Sequence, residues 1–236
     1  MGRELFATLL NPEPRVLPSL LLCDFGNLER EVRRLEEAGV VGLHLDVMDG
    51  VFVPNFTYGL TIVEAIRRLT RLPLDVHLMM VNPESYISQF AAAGADSLTV
   101  HCEAIEDPRA AAQRIHAAGL AAGLALNPAT SLDRLGSDLG EFDLVLVMSV
   151  PAGFGGQPFQ SVALDKLRIL RGRVPASTIL EVDGGVNMRT IADCARAGAR
   201  LHVVGSAIFH SADYRTSIRD LEATASAGFR GISEFN

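Results

Sequence analysis

The chain has 236 residues, of which 48% are hydrophobic, and its formal net charge at pH 7 is -7. Because an acidic surface repels polyanions, this charge argues against nucleic acid or an anionic membrane as the main partner. No run of residues approaches the ~18 apolar positions of a membrane span, and the first residues lack the pattern of a secretory signal, so we expect a soluble cytoplasmic protein without a membrane partner.

Eight short apolar segments with strand character alternate with helical stretches along the whole chain. Every interval between two of these segments is long enough for a helix, which is the arrangement of repeated β/α units. The segments predicted as strands are Val16–Leu21, Leu43–Val47, Leu74–Leu78, Ser97–His101, Ala121–Leu126, Leu144–Met148, Thr178–Val182 and Leu201–Val204.

Four of the predicted helices end in the dipeptide Ala-Gly just before the next strand. Glycine ends a helix because it adopts the left-handed conformation that other residues resist. No linker or change of composition divides the units, so a closed barrel is favoured over an open doubly wound sheet. The sequence therefore predicts an α/β protein with a single (β/α)8 TIM barrel at residues 15–236, preceded by an N-terminal extension at residues 1–14. The four helices are Leu28–Ala38, Pro83–Ala93, Pro108–Ala118 and Met188–Ala197.

Ionisable residues alternate strictly with Leu or Val in three segments, Leu43–Gly50, Leu74–Met79 and Leu180–Gly185. Successive side chains of a strand point to opposite faces, so each segment has one apolar and one ionisable face. A half-solvated antiparallel sheet would explain one such segment, but three of them favour a functional site. If the apolar faces pack under helices, the side chains that project together into the interior are those of His44, Asp46, His77 and Asp183.

Two imidazoles and two carboxylates gathered in one interior can offset their desolvation by holding a divalent cation. This mixture of nitrogen and oxygen ligands suits zinc, ferrous iron, manganese or cobalt better than calcium or magnesium, which prefer oxygen ligands. The sequence therefore predicts one divalent transition metal ion per chain. It does not choose among the four metals.

Glycines follow the last three predicted strands, in the segments Gly153–Gln157, Asp183–Gly185 and Gly205–Ala207. Glycine lets backbone N–H groups approach an anion closely, and barrels often bind phosphate after strands seven and eight. Glycine is also common in tight turns for steric reasons, but its recurrence at three consecutive strand ends favours phosphate. Such a site would let an acidic protein hold an anionic substrate.

Seven motifs stand in chain order between Pro18 and Phe209. They are Pro18–Leu21, His44–Gly50, Phe52–Asn55, Asp75–Met79, Gly153–Gln157, Val182–Val186 and Gly205–Phe209. Together they resemble the ribulose-phosphate 3-epimerase family, and the aspartate-rich second motif is the most specific. The resemblance implies a metal-dependent (β/α)8 barrel that interconverts D-ribulose 5-phosphate and D-xylulose 5-phosphate in the pentose phosphate pathway. It also implies a homo-oligomer.

The resemblance assigns roles to individual residues. It implies that His44, Asp46, His77 and Asp183 are the metal ligands, and that Asp46 and Asp183 are also the acid and base. The substrate-binding residues that it implies are Ser19, His77, the methionines Met48, Met79 and Met148 over the reacting carbons, and the phosphate-binding positions Gly153, Phe154, Gly155, Gly156, Gly184, Gly185, Gly205 and Ser206.

The implied chemistry is proton transfer at a carbon next to a carbonyl. Inverting that carbon requires removal of a proton from one face and return of a proton to the other, which two carboxylates on opposite walls can do. A cation between them would lower the energy of the ene-diolate. No nicotinamide, flavin or other nucleotide cofactor is required.

The sequence departs from the family pattern at several positions. Pro151-Ala152 stands where the family usually has Asn-Pro, Leu22-Cys23 where it often has Ser-Ala, and Val51 where it often has His. Pro151 fixes its own φ and restricts Val150, which can change the shape of the loop over the substrate. The nearest alternative is therefore a D-allulose 6-phosphate 3-epimerase.

Two more distant alternatives remain. A phosphate-binding barrel lyase would be expected to use a barrel lysine, whereas the only lysine, Lys166, lies in a predicted helix. A non-catalytic phosphosugar-binding protein would have no need of both aspartates and both histidines.

Three further ionisable residues lie near the predicted site. Asp75 and Glu181 are predicted one layer below the ligands, where such carboxylates commonly orient a metal-binding histidine. His101 also ends a strand, and we leave it outside the metal shell because a hydrogen-bonded structural histidine is an equally good interpretation.

Overall fold

The computed structural model describes residues 2–9, 13–136 and 138–231, and within them eight parallel strands form one barrel. From β2 to β8 each strand pairs with its neighbours in the chain, and β8 also pairs with β1. A bridge between Ser19 and His44 joins β1 to β2 and closes the barrel. The predicted (β/α)8 barrel is thereby confirmed. The strands are β1 Arg15–Pro18, β2 Leu43–Met48, β3 Leu74–Met79, β4 Ser97–His101, β5 Ala121–Leu126, β6 Leu144–Met148, β7 Ile179–Asp183 and β8 Leu201–Val204.

Helices surround the barrel, and their apolar sides pack on the outward faces of the strands. In β2, for example, Leu43, Leu45 and Val47 belong to this outer core, while the residues between them face inward. In the part of the chain that the structure describes, no helix is both long and apolar enough to cross a membrane. The helices are α1 Gly2–Phe6, α2 Leu28–Ala38, α3 Leu60–Leu69, α4 Ile87–Ala93, α5 Pro108–Ala117, α6 Val162–Arg171, α7 Ile191–Ala197, α8 Ser206–Phe209 and α9 Tyr214–Arg230.

The predicted Ala-Gly helix ends are confirmed. Gly39, Gly94, Gly119 and Gly198 all have positive φ, between 82° and 121°. The backbone N–H of Gly39 donates to the carbonyl oxygen of Glu36, which satisfies one of the free carbonyls at the end of α2. Each of these glycines therefore stops a helix at the point where the chain turns toward the next strand.

Three predicted boundaries differ from the structure by three residues or more, and several others by a single residue. β1 ends at Pro18 rather than at Leu21, because residues Leu20–Leu22 form a 3-10 turn in which the Ser19 hydroxyl accepts from the backbone N–H of Leu21. The predicted helix Pro83–Ala93 begins as a 3-10 turn at Pro83–Tyr86 and becomes α-helical at Ile87. The predicted helix Met188–Ala197 begins only at Ile191.

The segment before β1 lies against the end of the barrel where the strands begin. The backbone N–H of Arg3 donates to the carbonyl oxygen of Gly119, and its guanidinium pairs with Asp143 at 2.8 Å. Phe6 and Leu9 are buried in one cluster with inward-facing barrel residues such as Leu144. These contacts leave the opposite end of the barrel, where the strands finish, open for a site.

Candidate active site

The inward faces of β2, β3 and β7 bring four predicted ligands together. One nitrogen or carboxylate oxygen from each of His44, Asp46, His77 and Asp183 lies within 4.8 Å of the other three. The register explains this proximity, because Asp46 stands opposite His77 in the β2–β3 pair. Asp183 is the last residue of β7, which β8 and β1 separate from β2. The two carboxyl groups therefore enter the interior from different walls of the barrel.

Asp46 lies at the centre of this cluster. Its Oδ1 is 3.4 Å from Nε2 of His44 and 3.3 Å from Nδ1 of His77. Its Oδ2 accepts a 2.6 Å hydrogen bond from the Ser19 hydroxyl. Ser19 thus fixes one carboxylate oxygen and leaves the other between two imidazole nitrogens.

The donor set fits a divalent transition metal ion. Nε2 of His44 is buried and has no hydrogen-bond partner, which is costly for a polar atom unless something else binds it. Two imidazole nitrogens and two carboxylate oxygens are the ligands that zinc, iron, manganese and cobalt share. The described residues therefore provide a possible metal site at the carboxyl ends of β2, β3 and β7.

Carboxyl groups below the cluster surround His44. Nδ1 of His44 is 2.7 Å from Oδ2 of Asp75 and 3.9 Å from Oε1 of Glu181. Asp75 therefore contacts His44 and not the histidine of its own strand. Burial and the nearby charge of Asp75 raise the pKa of Glu181 well above its usual value, and neither oxygen of Glu181 has a hydrogen-bond partner. This crowding of acidic groups therefore favours the protonated, neutral form of Glu181.

The two aspartates of the cluster differ in proton affinity. Burial alone would raise the pKa of Asp46, but the positive field and hydrogen bonds of His44 and His77 lower it well below its usual value. For Asp183, burial and then repulsion by Asp46 raise the pKa to about 7. Burial would lower the pKa of His44, yet Asp46 and Asp75 raise it well above its usual value. The electrostatic field of Asp46 and Asp75 therefore attracts positive charge to the cluster.

A cavity opens above the cluster and reaches the barrel mouth. All of the predicted substrate-binding residues except His77 line it, whereas His77 is fully buried behind them. The lining also includes apolar residues that were not predicted as site residues, because they are neither charged nor glycine, although Leu21 and Val186 lie within two of the quoted motifs. These are Leu21, Leu22, Val150, Val186 and Val203.

Two glycines at the end of β7 have no room for a side chain. Gly184 has a φ of +110°, and a Cβ on it would lie 2.5 Å from Cγ2 of Val150. Gly185 has a φ of +63°, and its Cβ would lie 2.9 Å from the backbone oxygen of Gln157. The packing of the neighbouring loop therefore requires glycine at both positions. Without side chains, Gly184 and Gly185 border the cavity with their backbone groups.

The loop after β6, which carries Pro151 and Ala152, is held by polar contacts. Nε2 of Gln157 donates to the carbonyl oxygens of Pro151 and Phe154, at 2.8 and 2.9 Å. Nδ2 of Asn55 donates to the carbonyl oxygen of Gly153 at 2.6 Å. Pro151 is itself exposed and does not line the cavity, so its departure from the family pattern lies on the outer side of the loop.

Lys166 lies in α6, as predicted, and is turned away from the cavity. Its Nζ donates to the backbone oxygens of Asn127 and Thr130 at 2.8 and 2.6 Å. A lysine engaged in this way is a structural cation under the loop that follows β5. It offers no amine to a bound substrate.

One protein family matches most of this chain. The ribulose-phosphate 3 epimerase family matches residues 15–209. The ribulose-phosphate 3-epimerase of Bacillus subtilis is 43% identical over 214 residues, which covers 89% of this chain and 99% of the relative. The chloroplastic ribulose-5-phosphate-3-epimerase of Arabidopsis thaliana is also 43% identical, over 89% of this chain and 76% of its own length.

Solved structures with little sequence identity share the fold. A 3-hexulose-6-phosphate synthase is 19% identical, with a TM-score of 0.63 over 89% of this chain and 99% of its own. KGPDC from Streptococcus mutans is 14% identical, with a TM-score of 0.66 over 91% of this chain and 98% of its own. At such low identity, these two similarities show only that the barrel fold is shared.

Proposed function

This chain belongs to the ribulose-phosphate 3-epimerase family, and from that premise we propose that it interconverts D-ribulose 5-phosphate and D-xylulose 5-phosphate by two-base proton transfer at C3. The observation that carries the mechanism is the pair of carboxyl groups, Asp46 and Asp183, that enter one cavity from different walls beside two buried histidines. One carboxylate would remove the C3 proton, and the other carboxyl group would donate a proton to the opposite face.

The surroundings of the two aspartates suit these complementary roles. One group of an acid–base pair must be ionised while the other carries a proton, and environments that push two pKa values apart produce that state. Without a cation, the pKa of Asp46 is lowered, whereas that of Asp183 is raised to about 7. A bound divalent cation would lower both pKa values, and Asp183 would remain the one with the higher proton affinity. The Ser19 hydroxyl, which donates to Oδ2 of Asp46, would hold that carboxylate in position during the transfer.

We assign the metal to His44, Asp46, His77 and Asp183, as one zinc, ferrous iron, manganese or cobalt ion per chain. When bound there, such an ion supplies a fixed positive charge beside the carbonyl and hydroxyl oxygens on which negative charge develops. The protein's own contribution is to bury both histidines fully, which keeps water away from their ring nitrogens. No nucleotide cofactor takes part.

The apolar and glycine-rich parts of the cavity have separate proposed roles. Met48, Met79 and Met148 would cover the reacting carbons with thioethers that donate no protons. The glycine-containing ends of β6, β7 and β8 would bind the phosphate through backbone N–H groups. Binding energy from this remote group would then position C3 between the two carboxyl groups.

The test is an epimerisation assay with matched aspartate variants. Asp46→Asn and Asp183→Asn keep the shape of each side chain but remove the base, so we expect each to lose at least ~10²–10⁴-fold in kcat on D-ribulose 5-phosphate. Asp165→Asn, on an exposed aspartate of α6, is the charge-matched control and should keep wild-type activity. D-allulose 6-phosphate serves as the competing substrate.

Either aspartate variant turning over at a near wild-type rate would refute the two-base assignment. A higher kcat/KM for D-allulose 6-phosphate than for D-ribulose 5-phosphate would instead refute the proposed substrate. The Asp165→Asn control separates the expected loss of kcat from a general effect of lost negative charge.

A further inference from the structure

A third histidine lies directly behind the ligand His77. His101, the last residue of β4, is fully buried, and its ring stacks on that of His77 with centroids 5.0 Å apart. The two Nε2 atoms are 2.9 Å apart. A hydrogen bond between two ring nitrogens requires one nitrogen to carry a proton and the other to offer a lone pair. The remaining contacts of His101 decide which nitrogen donates.

Those contacts lead to Glu103. Nδ1 of His101 is 3.0 Å from Oε2 of Glu103. The other oxygen, Oε1, accepts a 2.8 Å hydrogen bond from the backbone N–H of Asn127 and a further one from the Thr130 hydroxyl. Burial alone would raise the pKa of Glu103, but His101 and these donors lower it well below its usual value. Glu103 is therefore an ionised acceptor.

An ionised Glu103 fixes the protons of both histidines. Because a carboxylate only accepts, Nδ1 of His101 carries a proton, and in the neutral tautomer with this proton the lone pair lies on Nε2. His77 must then donate from Nε2, which leaves the lone pair of its Nδ1 free. That atom lies 3.3 Å from Oδ1 of Asp46, on the side of the four-residue cluster. Two acceptors then face each other there, an arrangement that a cation bound between them would satisfy and that an Nδ1 proton would satisfy when no cation is bound.

We propose that Glu103 and His101 form a positioning relay that holds His77 in the tautomer with a free Nδ1, and thereby set the affinity of the barrel for its divalent cation. This inference rests on the metal site proposed above and adds two residues to it, neither of which is a ligand. Both act through His77.

The other histidine ligand is oriented in the opposite sense. His44 has Asp75 on its Nδ1, at 2.7 Å, so its Nε2 is the nitrogen that faces Asp46. The two ligands thus use different ring nitrogens, each determined by a carboxylate on the far side. For His44 the carboxylate acts directly, and for His77 it acts through one additional imidazole.

Two neighbouring contacts oppose the relay. Oδ1 of Asp46 would accept a proton from Nδ1 of His77 at 3.3 Å, a bond that a cation between the two atoms would replace. The second contact is too long to reverse the relay. Nδ2 of Asn127 lies 3.5 Å from Nδ1 of His101, at the outer limit of a hydrogen bond, whereas Glu103 is at 3.0 Å. Oδ1 of Asn127 accepts from the backbone N–H of Ala152 at 2.9 Å, which keeps this amide engaged with the loop after β6.

Nitrogen-15 NMR of the zinc-loaded wild-type protein tests the relay without any substitution. Long-range proton–nitrogen spectra distinguish protonated, metal-bound and lone-pair nitrogens of each imidazole. We expect zinc on Nδ1 of His77 and on Nε2 of His44, with protons on Nε2 of His77 and Nδ1 of His101. Zinc on Nε2 of His77, or a proton on Nε2 of His101, overturns the relay.

Glu103→Gln is the matched variant for the energetic effect. The Gln oxygen is needed by the N–H of Asn127, so the amide N–H₂ group faces Nδ1 of His101 and reverses every proton in the relay. Nδ1 of His77 then carries a proton and cannot bind zinc without rearrangement. We expect zinc affinity, measured by chelator competition, to fall about 10–100-fold, the usual effect of losing such an outer partner.

Glu106→Gln removes the same charge from an exposed position three residues away and should leave zinc affinity unchanged. A folded Glu103→Gln protein that binds zinc as tightly as the wild type contradicts the relay. If that variant fails to fold, the nitrogen-15 spectrum of the wild-type protein still shows whether the relay exists. Zinc bound to neither His44 nor His77 overturns the proposed metal site itself, which separates its failure from that of the relay.

Discussion

Asp46 and Asp183 are chemically identical groups whose surroundings give them different proton affinities. Asp46 lies between two imidazoles and accepts a hydrogen bond from Ser19, whereas Asp183 faces the negative charge of Asp46. The alternating pattern in the sequence was sufficient to predict that both residues enter one interior. It could not predict their opposite pKa shifts, because those depend on distances between strands that are far apart in the chain.

The contacts of Glu103 and His101 could not be predicted from the sequence either. Their spacing of two residues suggests nothing unusual, and His101 remained outside the predicted metal shell. The link to His77 arises from the way that two neighbouring strands end, with His101 stacked on His77 and Glu103 turned back by Asn127 and Thr130. Only side-chain packing reveals such a contact.

Glu103 should also contribute a pH-dependent term to stability. Its folded-state pKa is lowered from 4.5, so its stabilisation is present above about pH 4.5 and is lost as the pH falls toward the lowered value. Glutamine does not titrate. With a chelator present, the difference in Tm between wild type and Glu103→Gln should therefore be larger at pH 7 than at pH 4. A difference that stays constant would contradict the lowered pKa.

At the scale of elements, the turns were the most predictable part of the fold. The four Ala-Gly dipeptides marked helix ends correctly because the left-handed conformation is a local property of glycine. The end of β1 was wrong by three residues, since Leu20 and Leu21 look like strand residues in isolation. The hydroxyl of Ser19 overrides that preference by capping the 3-10 turn and by binding Asp46.

The loop at the end of β7 provides a test of the phosphate region. Gly185→Ala adds a Cβ 2.9 Å from the backbone oxygen of Gln157 and the backbone nitrogen of Phe159, neither of which moves easily. We expect a higher KM for D-ribulose 5-phosphate together with lower stability. The measurements are steady-state kinetics and denaturant unfolding.

Gly119→Ala is the matched control, because Gly119 also has a positive φ, of +82°, but nothing lies within 4 Å of its added Cβ. It should cost only about 1–2 kcal/mol of stability from the left-handed conformation and leave KM unchanged. Equal KM values for the two variants would show that the loop geometry at Gly185 does not serve the substrate.

At the scale of the whole molecule, the two ends of the barrel have different roles, one in function and the other in stability. The strands finish in the polar cluster and the cavity, and they begin over the N-terminal segment that buries Phe6 and Leu9. In barrels of this kind the end where the strands begin supports stability while the other carries function. Sequence periodicity predicted eight units and an extension, but the apolar contacts of that extension needed the structure.

Phe6→Ala tests this separation. Phe6 is only 2% exposed, and removing a buried phenylalanine typically costs about 3–5 kcal/mol. Because the cavity lies at the other end of the strands, kcat at a temperature well below unfolding should stay at the wild-type value. Denaturant unfolding and the epimerisation assay together measure both effects. A large loss of kcat with unchanged stability would contradict the separation.

The most direct test of the proposed reaction is the fate of the C3 hydrogen in deuterated water. Purified wild-type protein is incubated with D-ribulose 5-phosphate in D₂O, and the sugar phosphates are followed by NMR. Two-base transfer through Asp46 and Asp183 predicts that D-xylulose 5-phosphate appears with deuterium at C3 and protium at every other carbon-bound position. Product that retains protium at C3, or no epimerisation at all, would contradict the account.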